Sequence, residues 1–306
     1  MNSKNLINNV FDKMLSPKIK GHSERLILTI AIISYVIHLL LIILVNQELI
    51  QIESKLLKNP IAAIYTPFSF ILLYEVYLLV FFLPKSITTY IGKQYEIITL
   101  IVIRRIFKDI SHLELNTDWF QNTSDLQFTY DVATSLILFV LIYLFYRSNN
   151  KDLSKIKISD KEIKKINRFI NLKKVIAIIL VPILTALAVY SLYNWISETV
   201  QDYRNGILAF KNINNIFFDE FFTVLIIIDV FLLLFSFFYS DEFHKIIRNS
   251  GFVISTILIK ISFSIDGIVN NALIIGAVLF GYLILLIHNM YEKNSVPNTV
   301  HNDQSD

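Results

Sequence analysis

The sequence predicts an all-α, polytopic integral membrane protein with about eight transmembrane helices. Of its 306 residues, 54% are hydrophobic and only 17% are charged, a balance typical of membrane proteins. Apolar runs recur that are long enough to cross a hydrocarbon core of about 30 Å at about 1.5 Å per residue. The loops between them alternate between basic loops and loops that are charge-balanced or acidic, as expected when successive loops lie on opposite sides of a membrane.

The first part of the chain predicts a cytoplasmic segment followed by four membrane helices. Residues 1–23 place apolar side chains at helical spacing among lysines, which favours an interfacial amphipathic helix, with a disordered tail as the alternative. They contain no apolar core, so a signal peptide is not expected. The four predicted helices are Arg25–Asn46, Ile61–Pro84, residues 95–112 and Leu126–Arg147.

The third helix, residues 95–112, is the unusual one because it carries Arg104, Arg105 and Lys108 after a short apolar run. A Lys or Arg at a helix centre costs about 2.5 to 3.5 kcal/mol, so the charges together cost roughly 10 kcal/mol, whereas the nine apolar residues recover roughly 4 kcal/mol. Such a segment needs acidic partners, water or the membrane interface. Counting from Tyr95 places both arginines about 14 Å deep, near the midplane.

A basic linker, residues 151–173, follows the fourth helix and is predicted to be cytoplasmic. Its second half sets apolar residues against cations, as a helix lying on an anionic membrane surface would. A solvated loop is the alternative. The cations predicted to face the membrane surface are Lys161, Lys164, Lys165 and Arg168.

The second part of the chain predicts four more helices. Asp266 and Gly267 predict a tight turn before the last of them. Residues 295–306 are polar and predict a disordered tail. The helices are predicted at Lys174–Ile196, Ile216–Ser240, residues 252–265 and Val269–Met290.

Two halves of the sequence, residues 24–150 and 174–294, predict parallel four-helix repeats. ILLYEVYLLVFF surrounds Glu75 and LIIIDVFLLLFS surrounds Asp229, and each run precedes a glycine and a short charged segment. An even number of helices per repeat implies a symmetry axis along the membrane normal. The basic loops place both termini in the cytoplasm. A six-span layout, with 95–112 and 252–265 re-entrant, is the alternative.

Each repeat therefore combines buried acids with buried bases. Pairing of Glu75 with Arg105 and of Asp229 with Lys260, to neutralise charge and fix the helix packing, is the structural alternative to a functional path. Intramembrane ionisable residues often mark ion, proton or substrate pathways. Two weaker candidates have a simpler structural explanation: His38 as a hydrogen-bonded packing residue and Asp131 as an acid at a helix start. The predicted path comprises Glu75, Arg104, Arg105, Lys108, Asp131, Asp229, Lys260 and His38.

These features predict a transporter or channel for an ion or small anion. The alternative is a scaffold, sensor or lipid-binding component whose buried charges are structural. No enzyme motif is present, and neither a cofactor nor a metal site is predicted. Asp241, Glu242 and His244 have side chains of the metal-ligand type, but four-residue pairing with lysine and arginine accounts for Asp241 and His244. The expected partners are the lipid bilayer and anionic lipid head groups, and no nucleic acid is expected. The sequence leaves open whether the protein forms a homo-oligomer. Abundant Ile, Lys and Asn suggest a bacterial inner (plasma) membrane.

Overall fold

The computed structural model describes residues 3–49, 60–110, 123–149, 160–204, 213–239, 242–265 and 267–295. These residues form nine α-helices and one short 3-10 helix, and no strand occurs among them. The all-α prediction is confirmed. Five helical stretches are long and apolar enough to cross a membrane, which indicates a membrane-embedded protein. They are Asn5–Asn46, Asp125–Asn149, Ile163–Leu187, Glu220–Phe238 and Gly267–Lys293.

The first five helices precede the basic linker. Helix α2 begins eight residues before the predicted Arg25, because Ser16 and Pro17 form a strong start signal. The Ser16 Oγ accepts a hydrogen bond from the Ile19 backbone N–H at 3.3 Å, and proline is favoured at the first helical position. The elements are α1 (Ser3–Leu15), α2 (Pro17–Asn46), the 3-10 helix (Pro60–Ile64), α3 (Tyr65–Phe82), α4 (Ile87–Ile110) and α5 (Thr123–Asn149).

Four longer elements complete the described chain. The second half of the predicted linker and the predicted fifth span form one continuous helix. Gly267, which opens the last helix, has a φ of 74°, a left-handed conformation that glycine adopts without steric cost. This φ fits the predicted turn, whose other residue, Asp266, lies outside the described residues. The helices are α6 (Asp160–Arg204), α7 (Ile213–Tyr239), α8 (Phe243–Ser262) and α9 (Gly267–Ser295).

The predicted starts of the two charged helices were wrong. Helix α4 begins at Ile87 rather than Tyr95, where the Ser86 Oγ accepts a hydrogen bond from the Thr89 backbone N–H. Helix α8 begins at Phe243 rather than residue 252. Their 24 and 20 residues give lengths of about 36 and 30 Å, so both are long enough to cross a membrane. Arg105 consequently lies about 27 Å from the first residue of α4 and near its other end.

Two helical hairpins form the centre of the bundle. Helices α4 and α5 pack antiparallel, with Arg105 against Asp131 at one end and Glu96 against Tyr146 towards the other. Helices α8 and α9 also pack antiparallel. Helix α9 approaches α4 closely at Gly281, where an added Cβ would overlap the Tyr95 hydroxyl. Residues from α4, α5, α8 and α9 therefore meet in one interior.

Candidate functional site

A buried ionic network links α4, α5 and α9 around Arg105. The Arg105 Nε lies 3.0 Å from Asp131 Oδ2, and Nη2 donates to Asp131 Oδ1 at 3.1 Å. Nη1 donates to Asn270 Oδ1 at 2.6 Å, and Nη2 also donates to Asn271 Oδ1 at 2.8 Å. Asp131 is completely buried, whereas the Arg105 side chain keeps 27% of its exposure. The guanidinium thus joins one hairpin to the other.

Neighbouring amides complete the coordination of the Asp131 carboxylate. Its Oδ1 accepts hydrogen bonds from Asn271 Nδ2 at 2.7 Å and from Gln127 Nε2, one helical turn earlier, at 2.9 Å. Asn270 Nδ2 donates to the Ser262 carbonyl at the end of α8, which also accepts a hydrogen bond from the Ile265 backbone N–H at 3.2 Å. A buried carboxylate is tolerable only when paired in this way.

A second buried network surrounds Asp229, in the middle of α7. Gln94 Nε2 donates to Asp229 Oδ2 at 3.0 Å, and Thr256 Oγ1 donates to Gln94 Oε1 at 2.8 Å. These bonds run from α7 through α4 to α8. The cation whose charge acts on Asp229 is Lys173, and the Lys173 Nζ also donates to the Lys85 carbonyl at 2.9 Å.

A cavity of about 20 Å³ lies beside this second network. Asp229, Lys173, Tyr90 and Asn249 are among its lining residues. The Tyr90 hydroxyl is buried and interacts with Asp229 and Gln94. A volume of this size holds about one water molecule when polar partners surround it. The cavity can therefore hold about one water molecule next to a buried carboxylate.

The two networks are separated by about 16 Å along α4, the rise of the eleven residues from Gln94 to Arg105. Between them, the Tyr95 hydroxyl lies 2.8 Å from Ser255 Oγ, which donates to the Ala277 carbonyl. The intervening side chains Ile98, Val102 and Ile259 are fully buried and apolar. Buried apolar side chains thus lie between the two networks.

Both predicted acid–base pairs were wrong in their partners. Arg105 contacts Asp131 rather than Glu75, because α5 rather than α3 supplies the carboxylate at the end of α4. The charged groups that act on Glu75 are Glu96, Lys93, Lys20 and Glu24. Asp229 lies within the field of Lys173 rather than that of Lys260, which is half-buried on α8.

The other predicted path residues are spread over the bundle. Arg104 is buried beside the Arg105 network, with 3% of its surface exposed. The His38 Nδ1 lies 2.6 Å from Thr66 Oγ1, a hydrogen bond between α2 and α3. The side chain of Lys108 lies outside the described residues.

The basic row at the start of α6 is only partly described. The side chains of Lys164, Lys165 and Arg168 are exposed, and the neighbouring Ile163 and Ile166 are exposed with them. The side chain of Lys161 lies outside the described residues. Exposure of apolar and basic groups together is compatible with a helix on a membrane surface.

The sequence analysis missed a cluster of ligand-type side chains at the far ends of α8 and α9. His244, His288 and Glu292 bring their nitrogen and oxygen atoms within 4.8 Å of one another. Glu242, just before α8, contacts both His244 and Lys245. Partial burial raises the pKa of Glu242, but the hydrogen bond and charge of Lys245 outweigh it, so the pKa is lowered. The four-residue spacing of His288 and Glu292 was the available sequence signal.

The sequence analysis also missed Gln94 and Lys173 as interior residues. Gln94 precedes the predicted start of its helix, and Lys173 ends the predicted linker, so both were expected to lie outside the membrane.

Comparisons with protein-family models, with curated proteins and with solved structures find no significant match for the chain.

Proposed function

We propose that this protein is a multi-pass membrane transporter or channel for an ion or small anion, with its path between the α4–α5 and α8–α9 hairpins. The observation that carries the proposal is the pair of buried charged networks around Arg105 and Asp229 in one interior. Buried charges in a membrane are costly, and those that face a bundle interior commonly mark ion or substrate pathways. The protein acts without enzymatic chemistry in this proposal.

The predicted parallel repeats remain part of the proposal, and the helix contacts support them. Helices α5 and α9 run in the same direction, since Asn271 contacts Asp131 and Asn289 contacts Ser148, at offsets of about 140 residues. Repeats related by an axis along the membrane normal would place equivalent helices side by side in this way. The eight-span layout, with cytoplasmic termini in a bacterial inner membrane, belongs to the same proposal.

The Arg105 network is suited to act as a gate. The ion pair with Asp131 lies within the first hairpin, whereas the contacts with Asn270 and Asn271 cross to the second. Rocking of one hairpin against the other would break the crossing contacts and keep the ion pair intact. Arg105 would then face the opened space as a cation that attracts an anion.

Flux measurements in proteoliposomes test this proposal. We expect wild-type protein to carry protons, a monovalent cation or a small anion, and Arg105→Ala to reduce flux by about tenfold or more. Arg147→Ala is the matched control, because Arg147 is exposed at the end of α5. Absence of flux for every ion tested, or an equal loss in Arg147→Ala, would count against the proposal.

A second candidate function is a non-transporting scaffold, sensor or lipid-binding component. The buried apolar side chains between the two networks, Ile98, Val102 and Ile259, favour it. In that case exchanging the charges, with Arg105→Asp and Asp131→Arg together, should restore folding that either substitution alone disrupts. A charge-exchanged protein that folds and supports flux would exclude a purely structural role.

A further inference from the structure

We propose that His244, His288 and Glu292 bind a divalent transition-metal ion of the Zn²⁺ type, with Glu242 as a fourth ligand. The site lies at the ends of α8 and α9 opposite to the Arg105 network. His288 is seventeen residues, or about 26 Å of helix, beyond Asn271. The proposal is therefore independent of the transport path.

The spacing of the ligand atoms fits one metal ion. Tetrahedral zinc has bonds of about 2.0 to 2.2 Å to nitrogen and oxygen, which places its ligand atoms about 3.3 Å apart. The His288 Nε2 lies 3.1 Å from Glu292 Oε1, and the His244 Nε2 lies 3.2 Å from Glu242 Oε2. The three central ligand atoms all fall within 4.8 Å of one another. Small side-chain rotations would close the remaining distances.

A positive charge already lies beside the His288 ring. The Arg248 Nη1 lies 2.9 Å from His288 Nε2. The same ring nitrogen lies 3.1 Å from Glu292 Oε1, so one electron-pair donor of each residue faces the same place. With His288 Nε2 in the unprotonated form that a metal ligand requires, both atoms would share a positive charge there.

In the described conformation the Arg248 guanidinium supplies that positive charge. A metal ion would take its place at His288 Nε2. Arg248 would keep its other partner, since its Nε and Nη2 both donate to Asn249 Oδ1, at 3.3 and 3.1 Å. Arg248 and the metal ion therefore compete for one position.

The helices hold these ligands close together. His288 and Glu292 lie one turn apart on α9, and the His244 and His288 rings stack with their centroids 5.0 Å apart. His288 is buried, but the Glu292 and Glu242 side chains keep 35% and 49% of their exposure. The site is thus open to ions from the aqueous side. Two imidazoles with carboxylates suit Zn²⁺ better than Mg²⁺ or Ca²⁺, which favour all-oxygen ligands.

Cobalt and zinc titrations of the full chain in detergent, without a polyhistidine tag, test the proposal. We expect one Co²⁺ per chain with the visible spectrum of a tetrahedral ion, displaced by Zn²⁺. His244→Ala and Glu292→Gln should each weaken binding by about tenfold or more. His22→Ala is the matched control, because His22 is an exposed histidine on α2.

Arg248→Gln provides the sharpest variant, because loss of the competing cation should tighten binding severalfold. Binding of less than one ion per wild-type chain, an equal loss in His22→Ala, or unchanged affinity in Arg248→Gln would each overturn the proposal. Gel filtration checks that the variants fold. Should His244→Ala not fold, zinc must protect the wild-type histidines from diethyl pyrocarbonate, and lack of protection would equally overturn it.

Discussion

The ion pair of Arg105 and Asp131 permits the most quantitative prediction about this protein. We expect Asp131→Asn to leave the Arg105 guanidinium surrounded only by neutral amide oxygens, without the carboxylate that balances its charge. Removing one partner of a buried ion pair costs about 3 to 5 kcal/mol. Because the Arg105 side chain keeps 27% of its exposure, water can partly solvate it, and we expect about 3 kcal/mol.

A double-mutant cycle separates the pair from its surroundings. Arg105→Met should be about as destabilising as Asp131→Asn, whereas the double variant should recover most of the loss, since no buried charge is then left alone. Stability would be measured as denaturant-induced unfolding in mixed micelles, followed by circular dichroism. The exposed pair of Glu242 and Lys245 serves as the control, with an expected coupling of about 0.5 kcal/mol.

Two results would refute this reasoning. The first is a loss below about 1 kcal/mol in each single variant, which would mean that the pair is solvated. The second is a double variant whose loss equals the sum of the two single losses, which would mean that the residues do not interact. Flux measured on a stable double variant adds a functional readout, because a path that uses Arg105 should be inactive although the protein folds.

Three further predictions test the packing, the second network and the membrane surface. In the same unfolding assay, Gly281→Ala should destabilise the protein by about 1 to 3 kcal/mol, because the added Cβ would overlap the Tyr95 hydroxyl. Gly276→Ala is the control and should be neutral or slightly stabilising, because no atom lies near the added Cβ. Asp229→Asn should reduce flux by about tenfold or more with unchanged or increased unfolding stability; full flux would exclude Asp229 from the path. The exposed cations of α6 are Lys164, Lys165 and Arg168. Replacing them by glutamine should weaken binding of the solubilised protein to anionic vesicles but not to neutral vesicles. Equal binding of the wild-type protein to both kinds of vesicle would contradict the surface role.

The sequence by itself was enough to predict the helices and the class of protein. Apolar runs of sufficient length predict helices because an unpaired backbone is costly in an apolar medium. The turn at Gly267 was also predictable, because its signal is local. The starts of α4 and α8 were not, since their first turns contain polar residues such as Gln94 that become buried only against other helices.

Only the tertiary structure decided which charges meet. Residues one position apart on a helix point about 100° apart, so the partner of a buried charge depends on the rotation and register of every neighbouring helix. Asp131, which was read as a helix-start acid, proved to be the partner of Arg105. His244 and His288 are 44 residues apart in sequence and yet stack, because α8 and α9 pack antiparallel. Apolarity along one segment is a local property of the sequence, whereas pairing between segments is a property of the packed bundle.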